Sequence, residues 1–312
     1  MWLAIVAIAV GAIVGLGLPS LARPLEVAIT PALGLLLYAT FLGVPFQRLG
    51  RALRDGRFLV TVLVLNFVLV PLVAFGLSRF VADEPALLVG VLLVLLTPCV
   101  DYVIVFTGLA RGARDRLLAA TPVLMVTQLA LLPVYLRVMT GSDVTASLDV
   151  APLVAAFVWL IALPLAAAAA TQALARRSRL AAAVRSGFLA SMVPLLMVTL
   201  VAVIGSQISA VSGQLAALAT VVPLFLAFPL VAGPLGALTA RAARLEVAER
   251  RAVVFSGVTR NSLVVLPLAF ALPSTFAITP LVVATQTLVE LVAMIVMIAL
   301  VPRIVTERPA RV

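Results

Sequence analysis

The 312-residue chain contains no histidine, no lysine and a single cysteine, Cys99. Zinc clusters, disulfide frameworks and histidine-based catalysis are therefore excluded at the outset. Without lysine no GxxxxGK[ST] phosphate loop can be built, so any energy input must come from an ion gradient or the membrane potential rather than from ATP. Charged residues make up only 11% of the chain, too few to clothe a soluble surface. All 22 basic residues are arginine and the net charge is +10. No basic stretch carries the interleaved aromatics that base stacking needs, so a nucleic-acid partner is not expected. No cofactor or resident metal is expected either.

What is abundant is apolar surface. At 64% apolar the chain holds about two hundred apolar side chains, against roughly 45–50% apolar content in a soluble domain. A spanning helix takes about twenty such residues. Runs broken by Arg, Gly, Pro and Ser clusters predict ten spans: 1–18, 27–46, 59–77, 86–110, 117–139, 150–171, 187–206, 214–239, 252–272 and 280–302. Residues 1–18 lack a basic leading segment and a small-x-small cleavage site, so they read as the first helix rather than a signal peptide. Alternate connections and the C-terminal tail carry eighteen arginines, while the opposite side has three: Arg23, Arg79 and Arg137. The positive-inside rule then predicts both termini in the cytoplasm of a bacterial-type inner membrane.

Two motifs recur at one offset. Pro71-Leu72-Val73-Ala74 returns as Pro229-Leu230-Val231-Ala232, each four residues after a Phe (Phe67, Phe225). Thr121-Pro122 with Thr127-Gln128 returns as Thr279-Pro280 with Thr285-Gln286. Both offsets are 158 residues. That spacing equates spans three and five with spans eight and ten, giving five-helix repeats over 1–140 and 150–302. An odd number of helices per repeat makes the copies antiparallel, the inverted design of secondary transporters. The expected fold is all-α, a single transporter domain over 1–312.

Span four is interrupted by Thr97-Pro98-Cys99-Val100-Asp101, and the offset places Ser256-Gly257-Val258-Thr259-Arg260-Asn261-Ser262 opposite it in span nine. Pro98 cannot donate a backbone bond, and non-helical backbone at membrane depth survives only beside protein or a cavity. Pro98 and Gly257 are the expected helix breaks, and paired breaks point to a midplane substrate site. Three ionisable residues fall inside spans: Asp101, Arg260 and Glu290. Asp101 and Arg260 are expected to pair, as a lock or a gate. Glu290 is a candidate proton carrier or cation ligand, with a carboxyl bonded to Gln128, Gln286 or a carbonyl as the plainer alternative. Asn66 reads as helix glue, and Tyr135 as an anchor or packing group.

The run Cys99, Val103-Ile104-Val105-Phe106, Leu109-Ala110 and Gly112 resembles the fourth-span signature of the arsenite efflux carriers, a branch of the bile acid:sodium symporter superfamily. Leu288-Val289-Glu290-Leu291-Val292-Ala293-Met294 is similar to their last span. The resemblance implies panel helices (1–46 and 150–206), core helices (59–139 and 214–302), and breaks that cross in spans four and nine. It also implies arsenite or antimonite extrusion, with Cys99 at the metalloid and an acidic residue supporting proton exchange. As(III) is thiophilic, and a lone thiol gives a contact weak enough to be undone. Thr97, Asn261 and Ser262 complete the expected substrate set.

Where those carriers have Asn-Asn-Phe-Glu in span nine, this chain has Arg260-Asn261-Ser262-Leu263. Where the sodium-coupled branch has a Ser-Asn pair, a Glu and a Gln, this chain has Val103-Ile104, Ser256 and Arg260. Protons are thus the favoured coupling ion. Sodium would need a site rebuilt from Thr127, Gln128, Thr285, Gln286 and Glu290. Two alternatives stay open: a carrier of a small organic anion held by Arg260, and a channel or non-transporting membrane scaffold. The oligomeric state is not legible.

Overall fold

A computed structural model describes residues 2–44, 56–100, 102–147, 158–211 and 214–306. Asp101 and the arginines Arg48, Arg51 and Arg54 lie outside the described residues, as does the first part of the expected span 150–171. Every extended element described is helical. Among the described residues, six helices are long and apolar enough to cross a membrane: Ala22–Gly43, Gly56–Val81, Arg114–Gly141, Arg179–Ser206, Ala216–Ala242 and Ser274–Ile304. Their outward faces carry large apolar side chains such as Val27, Phe80, Val138, Leu180 and Leu230, each more than 70% exposed. Only a hydrocarbon solvent makes so many exposed aliphatic groups favourable.

The chain divides into two compact units. The first comprises Met1–Val44, Leu148–Leu218 and Leu266–Leu281. Its helices are α1 (Trp2–Gly17), α2 (Ala22–Gly43), α7 (Leu163–Leu174) and α8 (Arg179–Val211). Small residues let these helices approach closely, the usual route to association where lipid removes the hydrophobic drive. A methyl group on Gly11 would stand 3.0 Å from Ile204 Cβ and 3.1 Å from Val201 O, so α1 lies directly on α8 there. Polar side chains complete the unit. Gln172 Nε2 lies 2.9 to 3.2 Å from the carbonyls of Phe41, Leu42 and Val44, at the C-terminal end of α2.

The second unit comprises Pro45–Ser147, Ala219–Val265 and Val282–Val312. It contains α3 (Gly56–Val81), α4 (Pro85–Leu95), α5 (Val103–Leu109), α6 (Arg114–Gly141) and α10 (Val247–Val258). It also contains most of α9 (Leu215–Ala242) and α12 (Thr279–Ile304), and the start of α11 (Ser262–Phe270). Helix α3 is not uniform, because residues Leu65–Leu69 form a π-helical turn. Pro71 has no N–H for Phe67 O, and the hydroxyl of Tyr135 donates to that carbonyl instead. Tyr135 is thus a partner for a proline-freed carbonyl. The widened turn aims Asn66 into the unit, consistent with the frequent placement of π-bulges at functional positions.

Close packing inside this unit depends on Gly236 and Gly257. A Cβ on Gly257 would come within 2.8 Å of Leu65 Cδ2, and one on Gly236 within 3.2 Å of Val254 Cα. The arginine-rich connections are tied together: Ala113 N donates to Ala248 O at 2.8 Å, and Arg116 pairs with Glu249, which also closes a capping box at the start of α10. Arg251 donates to Val305 O, Pro302 O and Ala110 O, covering the carbonyl ends of α12 and α5.

Candidate functional site

Two helices stop in mid-course within the second unit. Helix α4 ends at Leu95 and α5 begins at Val103; α10 ends at Val258 and α11 begins at Ser262. The non-helical stretches pair as an antiparallel β-bridge centred on Pro98 and Arg260. Cys99 N donates to Thr259 O at 3.2 Å and Asn261 N donates to Thr97 O at 2.8 Å. Each break therefore supplies the backbone partner the other lacks, which makes irregular backbone tolerable at membrane depth. Gly257 is the penultimate residue of α10, so the second interruption begins after it, at Thr259.

That exchange has a cost in carbonyls. Leu95 O would ordinarily accept from residue 98 or 99, but Pro98 has no N–H and that of Cys99 goes to the bridge. Ser256 O would accept from Arg260 N, which donates instead to Glu290 Oε2 at 2.9 Å. Gly257 O would accept from Asn261 N, which is in the bridge. Three buried carbonyls at the ends of two half-helices are left without their helical donors, where the helix dipoles concentrate negative charge.

The Arg260 guanidinium fills all three vacancies. Its Nη1 donates to Leu95 O at 3.2 Å and its Nη2 to Ser256 O and Gly257 O, both at 2.8 Å. Nη2 also reaches Asn66 Oδ1 at 2.9 Å, while Asn66 Nδ2 donates to Ser256 Oγ at 2.9 Å and Val62 O at 3.0 Å. A guanidinium cannot accept, so the amide oxygen of Asn66 must face it. The Phe228 ring lies 5.3 Å from Arg260 Cζ, within cation–π range. Arg260 is 0% exposed. Among the described residues its guanidinium meets no carboxylate within ion-pair distance. The expected partner, Asp101, lies outside them.

Glu290, buried on α12, holds the backbone of the second break. It accepts from Arg260 N and from Gln286 Nε2, one helical turn earlier, and its Oε1 lies 2.9 Å from Tyr102 Oη. The same Tyr102 hydroxyl lies 2.6 Å from Arg260 O. Tyr102 and Arg260 are 158 residues apart, the offset of the repeated motifs. A tyrosine has one hydroxyl hydrogen; when it goes to Arg260 O, the shorter contact, Tyr102 Oη is free to accept a hydrogen from a protonated Glu290 carboxyl.

The remaining expected residues divide. Thr97 is buried and its hydroxyl bonds back to Leu93 O, while Cys99 is buried at the bridge. Asn261 Oδ1 caps α11 by accepting from Val264 N at 3.3 Å, and Ser262 Oγ accepts from Thr287 at 2.6 Å. Among the described residues, both amide atoms of buried Gln128 are without a hydrogen-bond partner, as are Asn261 Nδ2, Arg260 Nε and Gln286 Oε1. Thr127 and Thr285 are half-buried, and no described contact brings either to the crossing. Asn66, Ser256 and Tyr102 are the cluster members not singled out as site residues from the sequence. The 158-residue relation to Arg260 was a usable signal for Tyr102 alone.

Residues 30–214, more than half of the chain, match the profile of the Sodium Bile acid symporter family. No curated protein matches the chain.

Proposed function

The chain belongs to the sodium bile acid symporter family and is an integral membrane transporter, and from that premise we propose that it exports arsenite or antimonite in exchange for protons. The proposed frame has ten spans in two inverted five-helix repeats, with cytoplasmic termini in a bacterial-type inner membrane. The first unit acts as the panel and the second as the core that carries the site. The arginine asymmetry and the 158-residue offset support this frame.

The observation that carries the substrate reading is the position of Cys99, the only thiol, fixed by its own N–H to Thr259 O where the two broken helices meet. A soft thiol at that point suits a thiophilic trihydroxide. Arsenous acid is uncharged near neutral pH, and the unpartnered polar atoms Asn261 Nδ2, Arg260 Nε and Gln286 Oε1 match the hydroxyls of such a cargo. An organic anion would need the Arg260 guanidinium, whose Nη groups are already committed to four oxygens. The hydrogen count at Tyr102 supports a Glu290 that carries the exchanged proton.

Expression in arsenite-sensitive cells tests the reading. The wild type should restore growth on arsenite and Cys99→Ala should lose most of that protection at equal membrane abundance. No protection by the wild type overturns arsenite efflux; equal protection by both overturns the role of the thiol.

A further inference from the structure

We propose that Arg260 is a built-in cation that occupies the place where a bound metal cation would otherwise neutralise the two half-helix ends, so that this member of a sodium symporter family neither binds nor needs sodium. Discontinuous helices in transporters commonly leave carbonyl ends that coordinate a coupling cation. Here those oxygens are identifiable. Leu95 O, Ser256 O and Gly257 O have each lost the N–H that a continuous helix would supply, and Asn66 Oδ1 joins them from the π-turn of α3. All four converge on one guanidinium, at 2.8 to 3.2 Å.

A sodium ion does not fit this arrangement. The oxygens it would take are donor-satisfied, and a second positive charge would stand within a few ångströms of a fully buried first one. The side chain enters from the same break that creates the vacancies: its own backbone N–H is the one withheld from Ser256 O. Arg260 thus both opens the carbonyl cage and fills it. Tethering fixes the charge through the cycle, which removes one ion from the coupling stoichiometry.

Thermal melting of the purified protein tests this separately from any substrate. The wild type should melt at the same temperature in sodium, potassium and choline chloride at equal ionic strength. Arg260→Gln should melt lower by several degrees and recover part of the loss with millimolar guanidinium or with sodium, because a ligand that binds only the folded state raises its stability. If Arg260→Gln cannot be purified, Arg260→Lys decides: a folded variant indifferent to sodium supports a tethered charge. Stabilisation of the wild type by sodium over potassium overturns the inference. So does a folded Arg260→Gln that responds to no small cation, or a lysine variant as defective as the glutamine one.

Discussion

Glu290→Ala should be among the most damaging single substitutions at the crossing, lowering stability by roughly 2–6 kcal/mol and abolishing transport. Two buried donors lose their acceptor at once, Arg260 N and Gln286 Nε2, and the Tyr102 hydroxyl loses its contact with the carboxyl. Leaving a buried donor unsatisfied costs about 1–3 kcal/mol. The sum is large against a typical total stability of about 5–15 kcal/mol. Glu290→Gln separates structure from chemistry. Its amide oxygen still accepts from two donors and its N–H can still reach Tyr102, so the fold should survive. It cannot release a proton, so exchange should fail. Melting of both variants beside vesicle transport checks this. A Glu290→Gln protein with wild-type, pH-driven exchange would remove Glu290 from the coupling path.

The second large effect is expected from Arg260→Leu. Leucine matches the apolar stem but offers nothing to Leu95 O, Ser256 O, Gly257 O or Asn66 Oδ1. Removing one partner from a buried charged network typically costs about 3–5 kcal/mol, because the other partners stay desolvated. The loss also reaches the backbone, since Arg260 cross-links α4, α10 and α3 through those four contacts. Cys99 is buried, so a thiol-reactive dye should report unfolding of this region as a single labelling event. Labelling of Arg260→Leu should begin at a temperature clearly below that of the wild type. An unchanged onset would mean that the four oxygens find other donors and that the guanidinium is not what holds the crossing.

Much of this was legible from the letters, and the gaps have a physical cause. Polar clusters at Thr97 to Asp101 and at Ser256 to Ser262 mark the interruptions because apolar runs otherwise dominate the chain. Arg260 and Glu290 stand out because an ionisable group at membrane depth is expensive unless it is used. The carbonyl partners of Arg260 were not legible. Charge pairing suggests a carboxylate, and Asp101 lies outside the described residues, whereas a carbonyl freed by an exchange of strand bonds leaves no trace in side-chain identity. Asn66 looked like helix glue because its role depends on a π-turn that rotates it inward. It does bond across helices, but to the cation and Ser256 together. Tyr102 was hidden by residue type. A tyrosine beside a helix start carries no charge or metal-ligand signal, and only the repeat offset pairs Tyr102 with Arg260. The sequence offers Gln128, Gln286 or a carbonyl to Glu290, and the one-turn spacing on α12 selects Gln286.

The central claim is a proton-coupled, sodium-independent exporter, and arsenite accumulation in everted membrane vesicles tests it most directly. With choline as the only cation besides the proton and no ATP, an imposed pH gradient, acidic inside, should drive arsenite into vesicles bearing the wild type but not into those bearing Glu290→Gln. Accumulation that appears only when a sodium gradient is supplied, or that Glu290→Gln retains in full, would contradict the account.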